Sequence, residues 1–283
     1  MRALGRGPDA ISATAHYTGH VWVRNGLSHP ELATPEGLLG WAAVAPPMLA
    51  SRVLGGPTIE GMLLARHRVL DALLATAIEE GRVSQVIEIA CGMSPRGWRF
   101  ARRFGDRVTY VETDLEAMAA RKRRALQRMG GVSDHHRVVE LDALRDDGPL
   151  SLDAVAATLD RGAGLAIVTE GLLSYFDGEA VDGMWRRVAR ALEPFSAGLY
   201  LADLHVRGWN LGPVERSFST ALTLLVGRRV HLHFDDEQSA VDALRDAGFA
   251  DVRLHRGDRH PAAGGAGRDP GARRVHVVRA TTR

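Results

Sequence analysis

The sequence predicts an α/β fold: a mostly parallel seven-stranded sheet flanked by helices, with an antiparallel C-terminal hairpin and an N-terminal helical cap. Three observations carry this reading. From about residue 83, short apolar runs alternate with helix-length amphipathic segments, as in a parallel sheet wound with crossover helices. The last two apolar runs follow one another without a helix between them, which fits an antiparallel pair. The first 80 residues carry two helix-length apolar segments and no strand pattern.

Each element has a local reason. "RVSQVIEIA" (82–90) is the first strand, and "PRGWRFARRF" (95–104) is a short helix opened by Pro95. "RVTYVETD" (107–114) is the second strand, followed by a helix over 115–128 with Leu115, Met118 and Leu126 among its apolar positions. "HRVVELDAL" (136–144) is the third strand, and "SLDAVAATLD" (151–160) is a helix with Ser151 as N-cap. "GLAIVTEGLL" (164–173) is apolar up to Thr169, as a strand covered on both faces should be. Helix "GEAVDGMWRRVARAL", strand "AGLYLADLH" and helix "DEQSAVDALRDAG" follow, the last ending at Gly248. "DVRLHRG" and "RRVHVVRA" are the final strands; the Gly/Pro-rich stretch between them (258–272) reads as a mobile surface loop.

Upstream, "TPEGLLGWAAVAPPMLASRVL" and "TIEGMLLARHRVLDALLATAIEEG" read as helices, the second striped by Ile59, Met62, Leu63, Leu70, Leu73, Leu74 and Ala77. Residues 1–80 are expected to form an N-terminal arm and helical cap, and 81–283 the core, with 206–230 inserted as a lid. The stretch before the cap helices carries His16, Tyr17, Trp22 and Arg24, which either pin the arm or line a substrate site.

Composition narrows the function. The 36 basic and 34 acidic residues leave a net charge of +2, which implies no strong pull towards nucleic acid or membrane. The single cysteine, Cys91, excludes an internal disulfide framework and a cysteine-rich metal site. No apolar run approaches the roughly 20 residues of a membrane span, and the first ten residues lack a signal peptide's apolar core, so a cytoplasmic enzyme is expected. The 12 histidines show no H-E-x-x-H spacing, so metal independence is expected as well.

The chemistry concentrates at "VIEIACGMSPRG" (86–97), where the first strand turns sharply through Ala90, Cys91 and Gly92. The G-x-G-x-x-G spacing of a dinucleotide site is absent, and so is the glycine-lysine loop of a nucleoside triphosphatase. The sheet is therefore Rossmann-like without the pyrophosphate turn. Acidic residues fall near four strand ends: Glu88, Asp114, Asp142 and Glu170. Ligands of open parallel sheets bind outside those ends. Asp114 follows the Gly92 turn at the spacing that offers a carboxylate to two ribose hydroxyls. Asp142 could accept from an exocyclic amine. Small residues at 90–92 allow close backbone approach. A ligand carrying adenosine and a positive charge suits this set, and S-adenosylmethionine is such a ligand.

The stretch from "ARHRVLDALLATAIEEGRVSQVIEIACGMSPRGWRF" through "YVETDLEAMAARKRRAL" to "TEGLLSYFDGEAV" resembles the leucine carboxyl methyltransferase family, and in particular its bacterial branch acting on small molecules. The resemblance rests on Gly92 with Arg96, on Glu112, Asp114 and Leu115 with Lys122 (the only lysine of the chain), and on Glu170, Gly171, Leu173 and Tyr175. It covers roughly residues 60–200 and the segment 231–249. It implies S-adenosylmethionine as cofactor and S-adenosylhomocysteine as product. It also implies that Arg66 holds the cofactor's carboxylate, Ala90, Cys91 and Gly92 lie against its amino-acid portion, Asp114 and Leu115 meet the ribose, Asp142 and Ala143 the adenine, and Glu170 the amino group. Two departures stand out: Ala90 replaces the usual first glycine of the turn, and Ser94-Pro95-Arg96 replaces a frequent D-T-R.

Each assignment has a plainer counterpart. Glu88 could be a structural partner for a helix end, Arg66 shares its helix with charged neighbours, and Cys91 reads better as a packing residue than as a nucleophile. His205 and Tyr175 sit where a substrate would meet the methyl group. The expected activity is S-adenosylmethionine-dependent O-methylation of a small-molecule carboxylate, giving a methyl ester in a secondary-metabolite type of pathway. The alternatives are a hydroxyl acceptor with a histidine base, or a non-catalytic cofactor-binding regulatory protein. The expected partners are a small-molecule substrate and, as a homodimer, a second copy of the chain.

Overall fold

The computed structural model describes residues 9–131, 133–206 and 231–283, with side chains from residue 14 onward. Its sheet has seven strands: β1 (Gln85–Ile89), β2 (Thr109–Asp114), β3 (His136–Glu140), β4 (Leu165–Thr169), β5 (Gly198–Leu204), β6 (Asp251–Arg256) and β7 (His276–Thr281). They are ordered β3-β2-β1-β4-β5-β7-β6. The first five run parallel, while β7 lies antiparallel to both β5 and β6. The final hairpin therefore folds back so that its second strand is the inner one.

Alternation along each strand divides the interior into two cores. On one face Ile87, Ile89, Leu165 and Ile167 pack under α6 (Leu152–Ala156), α7 (Gly178–Leu192) and α8 (Glu237–Asp246), with Trp185 buried at the centre. On the other face Val86, Tyr110, Ala166, Val168 and Leu201 meet α1 (Asp9–Arg24), α3 (Ile59–Glu79) and α4 (Arg96–Phe104). The remaining helices are α2 (Pro35–Val53), which packs on α1, and α5 (Glu116–Arg128) beside β2 and β3. Helix boundaries follow their caps: the Thr34, Thr58, Ser151, Asp177 and Asp236 side chains each accept a first-turn backbone N–H.

Three sequence expectations change. The segment 258–272 is not a mobile loop. It forms two 3-10 stretches, Pro261–Arg268 and Pro270–Arg274, that pack along α3 and bury Ala263, Gly271 and Ala272. Asp269 fastens this strap: its carboxylate accepts the backbone N–H (3.0 Å) and hydroxyl (2.6 Å) of Thr58 and the N–H of Gly271 (2.7 Å). It lies so close to Gly61 that a Cβ there would sit 2.2 Å from its Cγ, which is why small spacing, not hydropathy, matters at that position. The stretch before the two expected cap helices, not read as a helix from the sequence, is α1, and it buries Tyr17, Val21 and Trp22 against α3. Third, β3 stops at Glu140, before Asp142. The lid expected over 206–230 lies outside the described residues, apart from Val206, which bridges to Phe234.

The Gly92 turn is braced from below. Lys122, fully buried on α5, pairs with Glu112 and donates to the carbonyl of Ser94 (2.5 Å). Glu112 also meets His136 Nε2 at 2.6 Å, and its Oε1 would lie 2.3 Å from a Cβ at Gly97. The chain's only lysine is thus a structural strut between the strand-two acid and the turn.

Two stability outcomes follow from these contacts. Asp269→Ala should lower the unfolding free energy by about 2 kcal/mol, through the loss of hydrogen bonds to a charged group, with an unchanged denaturant slope in urea titration. Lys122→Met leaves Glu112 buried without its cation and should cost about 3–5 kcal/mol; adding Glu112→Gln should recover part of that loss in the same titration.

Candidate active site

Strand order reverses between β1 and β4, and a ligand crevice is expected outside their carboxyl ends. The chain leaves β1 through Ala90, a non-glycine residue at φ 54°, and passes Gly92 at φ 50°. Both sit in the left-handed region that L side chains rarely occupy, so the turn is tighter than an extended exit. Asp114, at the end of β2, holds it: Oδ2 accepts Gly92 N–H and Oδ1 accepts Leu115 N–H, each at 2.8 Å. Burial raises the Asp114 pKa, partly offset by those two N–H groups. Each oxygen keeps acceptor capacity for a ligand hydroxyl.

Beside this turn opens a cleft enclosing about 880 Å³, its open mouth included. One wall is α1, through Thr14, Ala15, Tyr17, Thr18 and Trp22; another is α3, through Ile59, Met62, Leu63 and Arg66. The floor is the 90–93 turn, and the far side carries Glu170, Gly171, Leu172, Ser174, Tyr175 and His205. The lining is mostly apolar, with its charges gathered at Arg66 and Glu170.

Those charges belong to a buried cluster. Arg66 Nε donates to Glu170 Oε1 (2.9 Å) and Nη1 to Asp203 Oδ2 (3.0 Å). Arg96, completely buried, donates to Asp71 (2.7 Å), Glu88 (2.7 Å) and Glu170. His67 Nδ1 lies 2.9 Å from Glu170 Oε2. Burial pushes the Glu170 carboxyl up, yet the charges of His67, Arg96 and Arg66 hold it well below the usual carboxylate range. Burial likewise works against the Arg66 charge, but Asp203 and Glu170 keep its pKa above the ordinary value. Arg99 also donates to Asp71 (2.6 Å), so four carboxylates face three guanidiniums and an imidazole, and the cluster is close to charge-balanced.

His205 Nδ1 lies 2.7 Å from the carbonyl of Arg274, an acceptor only, so this nitrogen carries the proton and Nε2 carries the lone pair. Burial lowers the His205 pKa, against a raising contribution from Asp203. Tyr175 donates its hydroxyl to Thr14 Oγ1 at 2.6 Å, and burial raises its pKa, so the phenol stays protonated.

Of the residues singled out from sequence, Arg66, Ala90, Cys91, Gly92, Glu170, Tyr17, Trp22, Tyr175 and His205 line the cleft. Glu88 does not. It shares the Val86 side of β1 and points under α4, where Arg96 takes one oxygen and the Tyr110 hydroxyl the other (2.7 Å). Its place is structural. Asp114 and Leu115 border the turn outside the cleft; Asp142 and Ala143 lie in the turn after β3, where Asp142 Oδ1 accepts Leu144 N–H (3.1 Å) and the Ala143 carbonyl accepts from Arg187 (3.1 Å). His16 is buried towards α2, and exposed Arg24 stacks over Trp41 at 4.3 Å, so both pin the arm instead of lining the cleft. Cys91 is buried, and burial raises its thiol pKa well above the ordinary value, which suits packing and not nucleophilic attack. Among the described residues, no group of three or more His, Cys, Asp or Glu is placed to hold a metal, and no helix is long and apolar enough to cross a membrane.

Sequence reasoning missed Asp203, Asp71 and His67, and gave Arg96 no role. Asp203 left a signal, an acid inside the apolar run "LYLADL" at a strand end. The others are polar positions on helices, indistinguishable by spacing from a solvated face.

Comparison with known proteins gives this fold a family. The leucine carboxyl methyltransferase family profile matches residues 43–189, more than half of the chain. A Rhodococcus jostii (strain RHA1) protein provisionally named an S-adenosyl-L-methionine-dependent methyltransferase is 31% identical over 144 residues, 51% of this chain and 47% of that protein. A Mycolicibacterium vanbaalenii protein with the same kind of name is 34% identical over 139 residues, 49% of this chain and 43% of that one. The chain thus spans less than half the length of these curated relatives. In fold, it is similar to a DUF574 family protein from Streptomyces avermitilis (TM-score 0.66, 15% identity, 95% and 97% of the two chains). It is also similar to a Thermobifida fusca protein provisionally described as a methyltransferase (TM-score 0.65, 12% identity, 98% of each chain). On the extent of the profile match, the chain belongs to the leucine carboxyl methyltransferase family.

Proposed function

We propose that this protein is an S-adenosylmethionine-dependent O-methyltransferase that esterifies a small-molecule carboxylate. The observation that carries the reading is the cleft at the β1/β4 switch point, where a left-handed Ala90–Gly92 turn, Arg66 and Glu170 meet an apolar wall. The donor set fits the cofactor. Glu170, lining the cleft, suits an ammonium, Arg66 suits a carboxylate, and Asp114 retains acceptors for ribose hydroxyls. When bound, S-adenosylmethionine supplies a methyl group already activated by positive sulfur. The protein's task is then alignment and exclusion of water, which α1 and α3 perform by closing apolar side chains over the cleft. A carboxylate acceptor is ionised near neutral pH, with a pKa of about 4, and needs no base.

One observation favours a second reading. His205 presents an unprotonated Nε2, an acceptor suited to a hydroxyl proton and poorly suited to a carboxylate oxygen. A hydroxyl acceptor would hand its proton there as its oxygen attacks.

Calorimetric titration with S-adenosylhomocysteine tests the cofactor assignment. Wild type should bind in the micromolar range, and Asp114→Asn should weaken binding at least tenfold; a folded wild type that does not bind rejects the reading. The acceptor class is decided by pH–rate profiles. With a hydroxyl acceptor the rate should fall as pH drops through the depressed His205 pKa, because the imidazole gains its proton, and His205→Gln should remove that limb. With a carboxylate acceptor the rate should stay level through this range, and His205→Gln should leave the profile unchanged in shape.

A further inference from the structure

Arg66 is the one cationic side chain lining the cleft among the described residues, so the anionic end of any ligand there is drawn to it. Its position is set by others. Nε is held by Glu170 and Nη1 by Asp203, which leaves Nη2 as the terminal nitrogen without a partner of its own in this cluster. Glu170 cannot fix the guanidinium alone, because it also serves Arg96 and His67. Asp203 is dedicated. Buried at the end of β5, it binds Arg66 through Oδ2 and accepts Gly171 N–H through Oδ1 at 2.6 Å. Gly171, at φ 69°, leaves open the volume beside the guanidinium, where an added Cβ would sit 2.9 Å from Nη2. One carboxylate therefore registers the arginine against the turn that follows β4.

Resting on the proposed cofactor assignment, we propose that Asp203 is the positioning residue for the cofactor's amino-acid end, acting through Arg66. Asp203 orients the guanidinium so that its free edge meets a carboxylate entering the cleft, and it locks the Gly171 turn at the distance that edge requires. Asp203 itself does not touch the ligand.

Two probes separate this role from a general structural one. S-adenosylhomocysteine carries the amino-acid end, and 5′-methylthioadenosine has the same nucleoside and sulfur without it. Asp203→Asn is isosteric and keeps an oxygen for Gly171 N–H while removing the charge that holds Arg66. Calorimetry should show S-adenosylhomocysteine weakened at least tenfold and 5′-methylthioadenosine changed by less than twofold. Arg66→Lys should discriminate in the same way. The double variant should bind S-adenosylhomocysteine no worse than Arg66→Lys alone, because Asp203 acts through the arginine. Equal loss of both probes, no loss of either, or additive losses in the double variant would overturn the positioning role. Should Asp203→Asn fail to fold, equal loss of both probes in Arg66→Lys overturns it on its own. A folded wild type that binds neither probe removes the cofactor assignment itself, an outcome distinct from wild-type binding without discrimination.

Discussion

The buried guanidinium of Arg96 is the contact on which the rest of the site depends. It sits at zero exposure and reaches Asp71 on α3, Glu88 on β1 and, far along the chain, Glu170 after β4. Burying a charge without partners is prohibitively expensive, and removing one member of a buried pair leaves the other stranded. Without Arg96, Glu88 would lose its ion-pair partner in the interior, and Asp71 and Glu170 would each lose one. The cluster therefore works as a joint: it lets α3 approach the sheet closely enough to carry Arg66 to the crevice, with His67 buried behind it. Burial opposes ionisation of Glu170, yet the surrounding cations hold it charged.

The joint also divides labour around the cleft. Charge in the lining is confined to Arg66 and Glu170, which emerge from the cluster, while Ile59, Met62, Leu63, Tyr17 and Trp22 give the cleft its apolar surface. An apolar enclosure lowers the local dielectric and strengthens the interactions that remain. The proposed cofactor, with its charged amino-acid end at Arg66 and Glu170 and an apolar acceptor against α1 and α3, would suit that division. The turn at 90–92 accepts left-handed backbone at Ala90, a cost of order 1–3 kcal/mol for a non-glycine residue, and the Lys122–Glu112 strut beneath it and the Asp114 oxygens beside it over-determine the conformation.

Much of the fold was legible because the sheet is regular. Apolar runs such as "LAIVT" and a cap such as Ser151 report local rules, and the antiparallel end of the chain followed from two strands without an intervening helix. What stayed hidden depends on contacts across the sequence. The 258–272 strap has the composition of a loose loop; it is ordered because Asp269 reaches back to Thr58 and because its small residues fit along α3. Glu88 carries an acid at a strand end just as a ligand contact would. Only the side of β1 that it shares with Val86, and the presence of Arg96 on α4, send it inward. Asp203 and Glu170 look alike in sequence, and one lines the cleft while the other stands behind it.

The strap has a chemical consequence as well as a structural one. Arg274 ends it, and the carbonyl of Arg274 fixes the tautomer of His205 by accepting the Nδ1 proton. Asp269, near the strap's middle, ties the same segment to the N-terminus of α3, the helix that carries Arg66. One short segment thus registers both the cation and the imidazole of the cleft. Sliding it along α3 would release His205 to present either nitrogen and would shift Arg66. A site assembled on helices, strands and a buried strap holds its groups by packing, which the proposed methyl transfer would demand: an in-line displacement gains its rate from the alignment of donor, methyl and acceptor, and tolerates little slack in the walls that enforce it.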